Sequence, residues 1–144
     1  MIRSAMPEDC AIVTQLALRL WPKSPPDKLY IEFSEILRKE DAVVFICYDN
    51  ALPVAFAHCE IRTDYVEGTS EGPVGYLEGI FVHKDYRRQK IGYKLLKECE
   101  RWAVNKGCME FASDCEADNL DSFNFHMQSG FSEANRVICF VKRL

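Results

Sequence analysis

The chain has 144 residues, 48% of them hydrophobic and 28% charged, with a formal net charge of −4. That length suits one domain with a sizeable core, and the composition excludes a disordered chain. The acidic balance argues against nucleic acid as a partner. Cysteines at 10, 47, 59, 99, 108, 115 and 139 are odd in number and form no C-x-x-C. They read as small core hydrophobes in a reducing compartment. The three histidines, at 58, 83 and 126, lack metal-ligand spacing, so no metal is expected. MIRSAMPEDC has no signal-peptide core and no run reaches membrane-spanning length, so a cytoplasmic protein without a membrane partner is expected.

Ile2-Arg3 reads as a short first strand. Pro7-Glu8-Asp9 starts a helix carrying Ile12, Val13, Leu16 and Leu20. The run Trp21-Pro22-Lys23-Ser24-Pro25-Pro26 breaks it, and a second helix over about Asp27 to Arg38 places Leu29, Tyr30, Phe33, Ile36 and Leu37 on one side. Ala42 to Tyr48 is continuously apolar, which predicts a strand buried on both faces. Asp49-Asn50 is a turn signal, and Pro53 to Arg62 is its hairpin partner, with His58 and Glu60 on the parity of Val54 and Phe56. His58 reads as a paired strand residue. Residues 63–74 form a polar, glycine-containing loop long enough to line a site.

Tyr76 to Val82 predicts a buried strand. It leads to Arg87-Arg88-Gln89-Lys90, then Ile91-Gly92, then a helix with Leu95, Leu96 and Cys99 on its apolar side. A cationic loop at a helix N-terminus offers orphan N–H groups and a favourable dipole to an anion, and a pyrophosphate is the natural ligand. The helix ends near Lys106-Gly107, with Gly107 as cap, and Met109 to Asp114 is another short strand. Asp118-Asn119 opens a helix through Gln128, Gly130 closes it, and two last strands are expected within Phe131 to Lys142. The order βααβββαβαββ describes an α/β fold, one mixed sheet with helices on its faces, as a single domain over 1–144.

That order, with a basic loop after the fourth strand, resembles the GNAT acetyltransferase superfamily. The family's loop, Q/R-x-x-G-x-G/A, wraps the pyrophosphate of acetyl-coenzyme A. Here Arg87 and Gly92 match while Lys90 takes the place of the first glycine. Either Lys90 accepts strain or the turn follows another path. The resemblance also implies coenzyme A contacts from Arg88, Gln89, Ile91 and Tyr93, and from the main chain of Ile80, Phe81 and Val82. A second landmark is an asparagine opening the last long helix, then a tyrosine and Gly-Phe. This chain has Asn119, Gly130-Phe131, and His126 in place of the tyrosine that protonates the coenzyme A thiolate. An imidazole can take that role.

Shorter words, in order, are similar to the aminoglycoside 6′-N-acetyltransferases. They are Leu20-Trp21-Pro22, Asp64-Tyr65-Val66, Tyr76 to Val82 with Glu78 inside it, Asn105-Lys106-Gly107-Cys108, Ala112-Ser113-Asp114, and the closing Arg136-Val137-Ile138 with Phe140 and Lys142. The resemblance implies an aminoglycoside acceptor, acetyl-coenzyme A as co-substrate, direct attack in a ternary complex, and a homodimer. It implies that Glu78 and Asp114 bind the acceptor's ammonium and hydroxyl groups, that Trp21 and Tyr65 wall the site, and that the Tyr65 loop reaches across the dimer. Asp64, Glu67, Glu71, Glu116 and Asp118 would lend a negative field, although ordinary solvated acids is the simpler reading of that outer set.

An ammonium must lose a proton before it attacks a thioester. For an amine of pKa about 10.4 this costs roughly 4–5 kcal/mol at pH 7. Glu78 or Asp114 could accept the proton, but an ion-paired carboxylate favours the cation, so positioning is their first expected role. A strand bulge is expected at Gly79, presenting N–H groups to the thioester. Cys108 and Cys115 have no base partner, so no acyl-cysteine is expected. Two other readings fit the pattern. One is a GNAT acting on a polyamine, a small metabolite or a protein amine; the other is a non-catalytic acyl-coenzyme A binding module.

Overall fold

The computed structural model describes residues 1–144. Five strands, β1 (Ile2–Ser4), β2 (Ala42–Asp49), β3 (Leu52–Arg62), β4 (Val74–Val82) and β5 (Glu110–Ser113), form one sheet in chain order. All neighbours are antiparallel except β4 and β5, which are parallel. The helices are α1 (Cys10–Leu20), α2 (Pro26–Ile36), α3 (Ile91–Asn105) and α4 (Leu120–Gln128). No helix is long and apolar enough to cross a membrane.

Side-chain alternation along β3 decides which helix covers which face. Ala55, Ala57 and Cys59 point to one side, where their small size admits Leu95, Leu96 and Cys99 of α3. Phe56 points to the other and packs with Val13, Leu16 and Ala17 of α1 and Leu29 and Phe33 of α2. β2 feeds both layers, Val44 and Ile46 on the α1–α2 side and Cys47 on the α3 side, so its continuous apolar run is explained. Leu95 and Leu96 are fully buried; truncating either to Ala costs about 2–5 kcal/mol.

Several local expectations need correction. Pro7–Asp9 is a single 3₁₀ turn ahead of α1, because the Asp9 carboxylate is held by Arg3 at 2.7 and 2.8 Å and by the Met6 N–H at 2.8 Å. α2 ends two residues early, and Tyr30 faces solvent. Five cysteines are buried, but Cys115 and Cys139 are exposed, so those two are not core residues. The largest departure is at the C-terminus: the two strands expected within Phe131 to Lys142 do not form in the single chain. The continuous apolar run Val137 to Val141 records strand propensity, but a strand also needs an edge to pair with. Val137, Ile138, Phe140 and Val141 lie 75–91% exposed instead. The cap at Gly107 forms as expected, with φ +91° and the Cys108 N–H reaching back to the Ala103 carbonyl at 3.0 Å.

Candidate active site

Beyond the ends of α1 and α2 their face of the sheet turns polar. Residues 58, 60 and 62 continue the β3 parity of Phe56, so His58, Glu60 and Arg62 emerge on that face. On β4 the register slips: His58 pairs with Gly79 and Cys59 with Leu77, leaving Glu78 as the extra residue. The bulge therefore falls at Glu78 rather than Gly79, and it aims the carboxylate across the face towards Arg62. Gly79 keeps an ordinary φ. Glycine is required there for space, since a Cβ would lie 2.6 Å from the Trp21 ring.

Arg62 grips Glu78 with both ends of its fork, Nε to Oε1 at 2.9 Å and Nη2 to Oε2 at 2.7 Å. Its guanidinium lies over the Tyr76 ring, 3.4 Å from the centroid. The Tyr76 hydroxyl in turn donates to Asp114 Oδ2, just past β5. Burial first, and then that hydrogen bond, push the Tyr76 phenol well above its usual range, so the hydroxyl keeps its proton. The hydrogen bond to Glu78 likewise raises Arg62. One chain of contacts thus links both carboxylates. Next to it His58 Nε2 meets Glu60 Oε1 at 3.0 Å, and Lys39 reaches Glu60 at 3.7 Å. The His58 hydrogen bond is the main reason the Glu60 carboxyl sits below the ordinary carboxylate range. Trp21, Glu32, Phe33, His58 and Glu78 line a cleft of about 330 Å³ between α2 and the sheet.

A second region adjoins this face. β5 pairs with β4 only from Val74 to Leu77, so Gly79 to Val82 have no partner on that side and their main chain is available there. The segment after β4 reaches α3 through Arg88 at φ +62° and Lys90 at φ +60°. Lys90 thus takes the left-handed conformation of the glycine it replaces, at a strain of about 1–2 kcal/mol. The first-turn N–H groups of α3, at Ile91, Gly92 and Tyr93, have no intrahelical acceptors. Arg87, Arg88 and Lys90 lie in the adjoining segment, where Arg87 Nε donates to the Val82 carbonyl at 3.1 Å, so cations and free N–H groups share this end of α3.

Residues 11–131 match the acetyltransferase (GNAT) family. The chain belongs to that family. It is 39% identical over 128 residues to the aminoglycoside N(6′)-acetyltransferase type 1 of Salmonella typhimurium, covering 89% of this chain and 88% of the relative. The structure of aminoglycoside N-acetyltransferase AAC(6′)-Iy in complex with CoA superposes with a TM-score of 0.95 at 36% identity, covering 100% of this chain and 95% of that one. AAC(6′)-Iy in complex with the bisubstrate analogue CoA-S-monomethyl-acetylneamine gives 0.94 at 36% identity, covering 100% and 98%. The resemblance and the fold class read from the sequence are both borne out.

Within this GNAT fold the residues named from the sequence divide into three groups. Trp21 and Glu78 line the cleft, and Asp114 joins them through Tyr76 and Arg62. Asn119 caps α4, its side-chain oxygen accepting from the Ser122 N–H at 3.1 Å. His126 has both nitrogens engaged: Nδ1–H donates to the Ser122 carbonyl at 2.6 Å, and Nε2 meets Ser113 Oγ at 2.8 Å at the end of β5. Tyr65 stands apart at 81% exposure, bonded only to Glu67. Arg62 and Tyr76 escaped the sequence reading of the site, as did the cleft position of His58. The shared parity of 58, 60 and 62 on β3 was the available signal.

Proposed function

We propose that this chain transfers the acetyl group of acetyl-coenzyme A to the 6′-amine of aminoglycosides, by direct attack within a ternary complex, as one catalytic domain. The observation that carries this reading is the linked set Glu78–Arg62–Tyr76–Asp114 beside the Trp21 wall. It presents two carboxylates where β4 and β5 part, next to the cations and free N–H groups at the start of α3. Carboxylates held this way suit a polycationic, hydroxyl-rich acceptor, and Trp21 offers a flat face for a sugar ring. The kinship with proteins named as 6′-acetyltransferases, and with AAC(6′)-Iy in complex with a CoA–aminoglycoside analogue, supports the same acceptor.

In this reading the pyrophosphate lies on the N–H groups of Ile91, Gly92 and Tyr93, flanked by Arg87, Arg88, Gln89 and Lys90. Asn119 uses its free amide to hold the pantetheine arm, and the unpaired main chain of Ile80, Phe81 and Val82 meets the thioester end. Glu78 and Asp114 fix the acceptor, so that holding amine and thioester together supplies most of the rate. His126, as an imidazolium formed by taking up the second amine proton, returns that proton to the departing thiolate. A thiol-release assay with acetyl-coenzyme A against kanamycin, tobramycin, gentamicin and spermidine tests the acceptor. Aminoglycoside turnover is expected; turnover of spermidine alone overturns the reading.

The working form in this proposal is a cytoplasmic homodimer. Seven free thiols suit a reducing compartment. The exposed apolar run of Val137, Ile138, Phe140 and Val141 is strand-like and unpaired, which suits the sheet edge of a second copy. In the same reading the Tyr65 loop, exposed and bonded only within itself, reaches across to the second subunit, as the family resemblance implies.

A further inference from the structure

We propose that His58, oriented by Glu60, is the general base that removes a proton from the acceptor ammonium; this rests on the cleft being the acceptor site. His58 is a buried residue on the cleft wall, sharing that wall with Glu78 and Trp21. Its Nε2 faces the Glu60 carboxylate at 3.0 Å, which fixes the proton on Nε2 and leaves the Nδ1 lone pair as the accepting site. No group of the chain bonds Nδ1, yet no sealed side-chain nitrogen or oxygen is left unpaired, so Nδ1 keeps contact with solvent on the cleft wall that His58 lines. Phe33 holds the ring edge-on, with centroids 5.6 Å apart. A base, an orienting carboxylate and an open approach are the three elements such a role needs.

The carboxylates suit this work less well. Glu78 is spent in a two-point ion pair with Arg62, and Asp114 accepts the Tyr76 hydroxyl. Both are arranged to hold a cation rather than to take its proton. The charged groups around His58 are Glu60 and, beyond it, Arg62 on its own strand, Lys39 behind Glu60, Glu78 of β4 paired with Arg62, and Glu32 from α2. In the step proposed, an N–H bond of the ammonium breaks and one forms at His58 Nδ1, directly or through a water. The amine lone pair then bonds to the thioester carbon and the C–S bond breaks. The second amine proton is the one the thiolate finally takes up, so amide, thiol and one released proton are the products.

The test is steady-state kinetics from pH 5.5 to 9.5 with acetyl-coenzyme A and the aminoglycoside that the wild type turns over, for His58→Gln and Glu60→Gln. Folding is checked by thermal melts and by coenzyme A binding. His58→Gln should lower kcat by about 100-fold or more at pH 7, with acceptor KM changed less than threefold. Its residual rate should climb with pH towards the wild-type value, because the free amine supplied by alkaline solution needs no base. Glu60→Gln should move the acid limb of kcat/KM to lower pH, since the anion that favours the imidazolium is gone; a merely structural carboxylate would not move that limb. A folded, coenzyme A-binding His58→Gln with kcat/KM within threefold of wild type at every pH overturns the assignment. If His58→Gln does not fold, a Glu60→Gln profile that superimposes on the wild type's overturns it equally. Wild-type turnover of an aminoglycoside tests the functional reading separately; if the wild type acetylates none, both fall.

Discussion

The acceptor face and the donor loop are built differently. The proposed acceptor face is made of side chains whose chemical identity matters at each position: Glu78, Arg62, Tyr76 and Asp114 are joined by an ion pair, a cation–π contact and a hydrogen bond, each needing a particular partner. The donor loop is made of backbone. The groups proposed to bind the anion are the N–H bonds of Ile91, Gly92 and Tyr93, which any residue but proline supplies, so Lys90 can stand where the family has glycine, provided it adopts φ +60°. A site read through side chains resists substitution, whereas one read through backbone tolerates it at a small cost in strain.

Mutations on the two sides should therefore separate cleanly. Glu78→Ala with Asp114→Ala removes two charged hydrogen-bond acceptors at about 1.5–3 kcal/mol each, so aminoglycoside kcat/KM should fall at least 100-fold. The Kd for coenzyme A, measured by calorimetry, should stay within about twofold. Equal loss of both would mean that the two regions are one structural unit. Tyr76→Phe cuts a single link. Acceptor kcat/KM should fall about tenfold, because Asp114 loses the donor that positions it.

These regions also differed in how far they could be read without coordinates. Glu78 and Asp114 sit in ordered sequence words, and Trp21 in another, and the structure brings the three to one face. Their organiser Arg62 was not legible in the sequence, because an arginine at the end of a strand looks like an ordinary solvated residue until the Glu78 bulge brings a carboxylate to it. Glycine's tolerance of distortion points to a bulge at Gly79, whereas in the structure that glycine makes room for Trp21 and the extra residue is Glu78. The sheet followed from alternation as far as β5. Past Gly130 a continuous apolar run, Val137 to Val141, predicts strands that do not form here, since propensity describes a strand and says nothing of its partner. If the proposed dimer pairs this segment, replacing Val137 and Phe140 by Lys should shift the sedimentation of the protein from dimer to monomer, with little change in the melt of the single subunit; a wild type that already sediments as a monomer overturns the pairing.

At the far edge of the sheet, Asp9 offers a control remote from both regions. Arg3 is the main cause that holds its carboxyl below the usual carboxylate range. The folded state thus takes up that proton less readily than the unfolded one. The resulting stability is complete above the unfolded value of about 3.9 and fades as pH falls through the lower folded value. Asp9→Asn should lower Tm at pH 7 by about 5 °C, allowing for the partial exposure of Arg3. The gap between variant and wild type should narrow steadily below pH 4, while kcat/KM at neutral pH stays unchanged. A pH-independent gap would assign the loss to packing rather than to the charge.

Lys90→Gly should have the smallest effect on the fold, and it addresses the donor loop most directly. Relief of left-handed strain contributes about 1–2 kcal/mol in favour of the variant. The extra freedom of glycine in the unfolded chain costs about 0.5–1 kcal/mol. Tm should therefore rise by at most a few degrees. The same change deletes a cation beside the pyrophosphate while leaving every backbone N–H in place. The KM for acetyl-coenzyme A should increase severalfold, more at low salt than at high, because an exposed charge is screened within about a Debye length. Acceptor KM should not move. If KM for acetyl-coenzyme A fell instead, lysine at this position would be hindering the loop's path rather than reinforcing its charge, and the backbone description of the donor site would need the family's glycine after all.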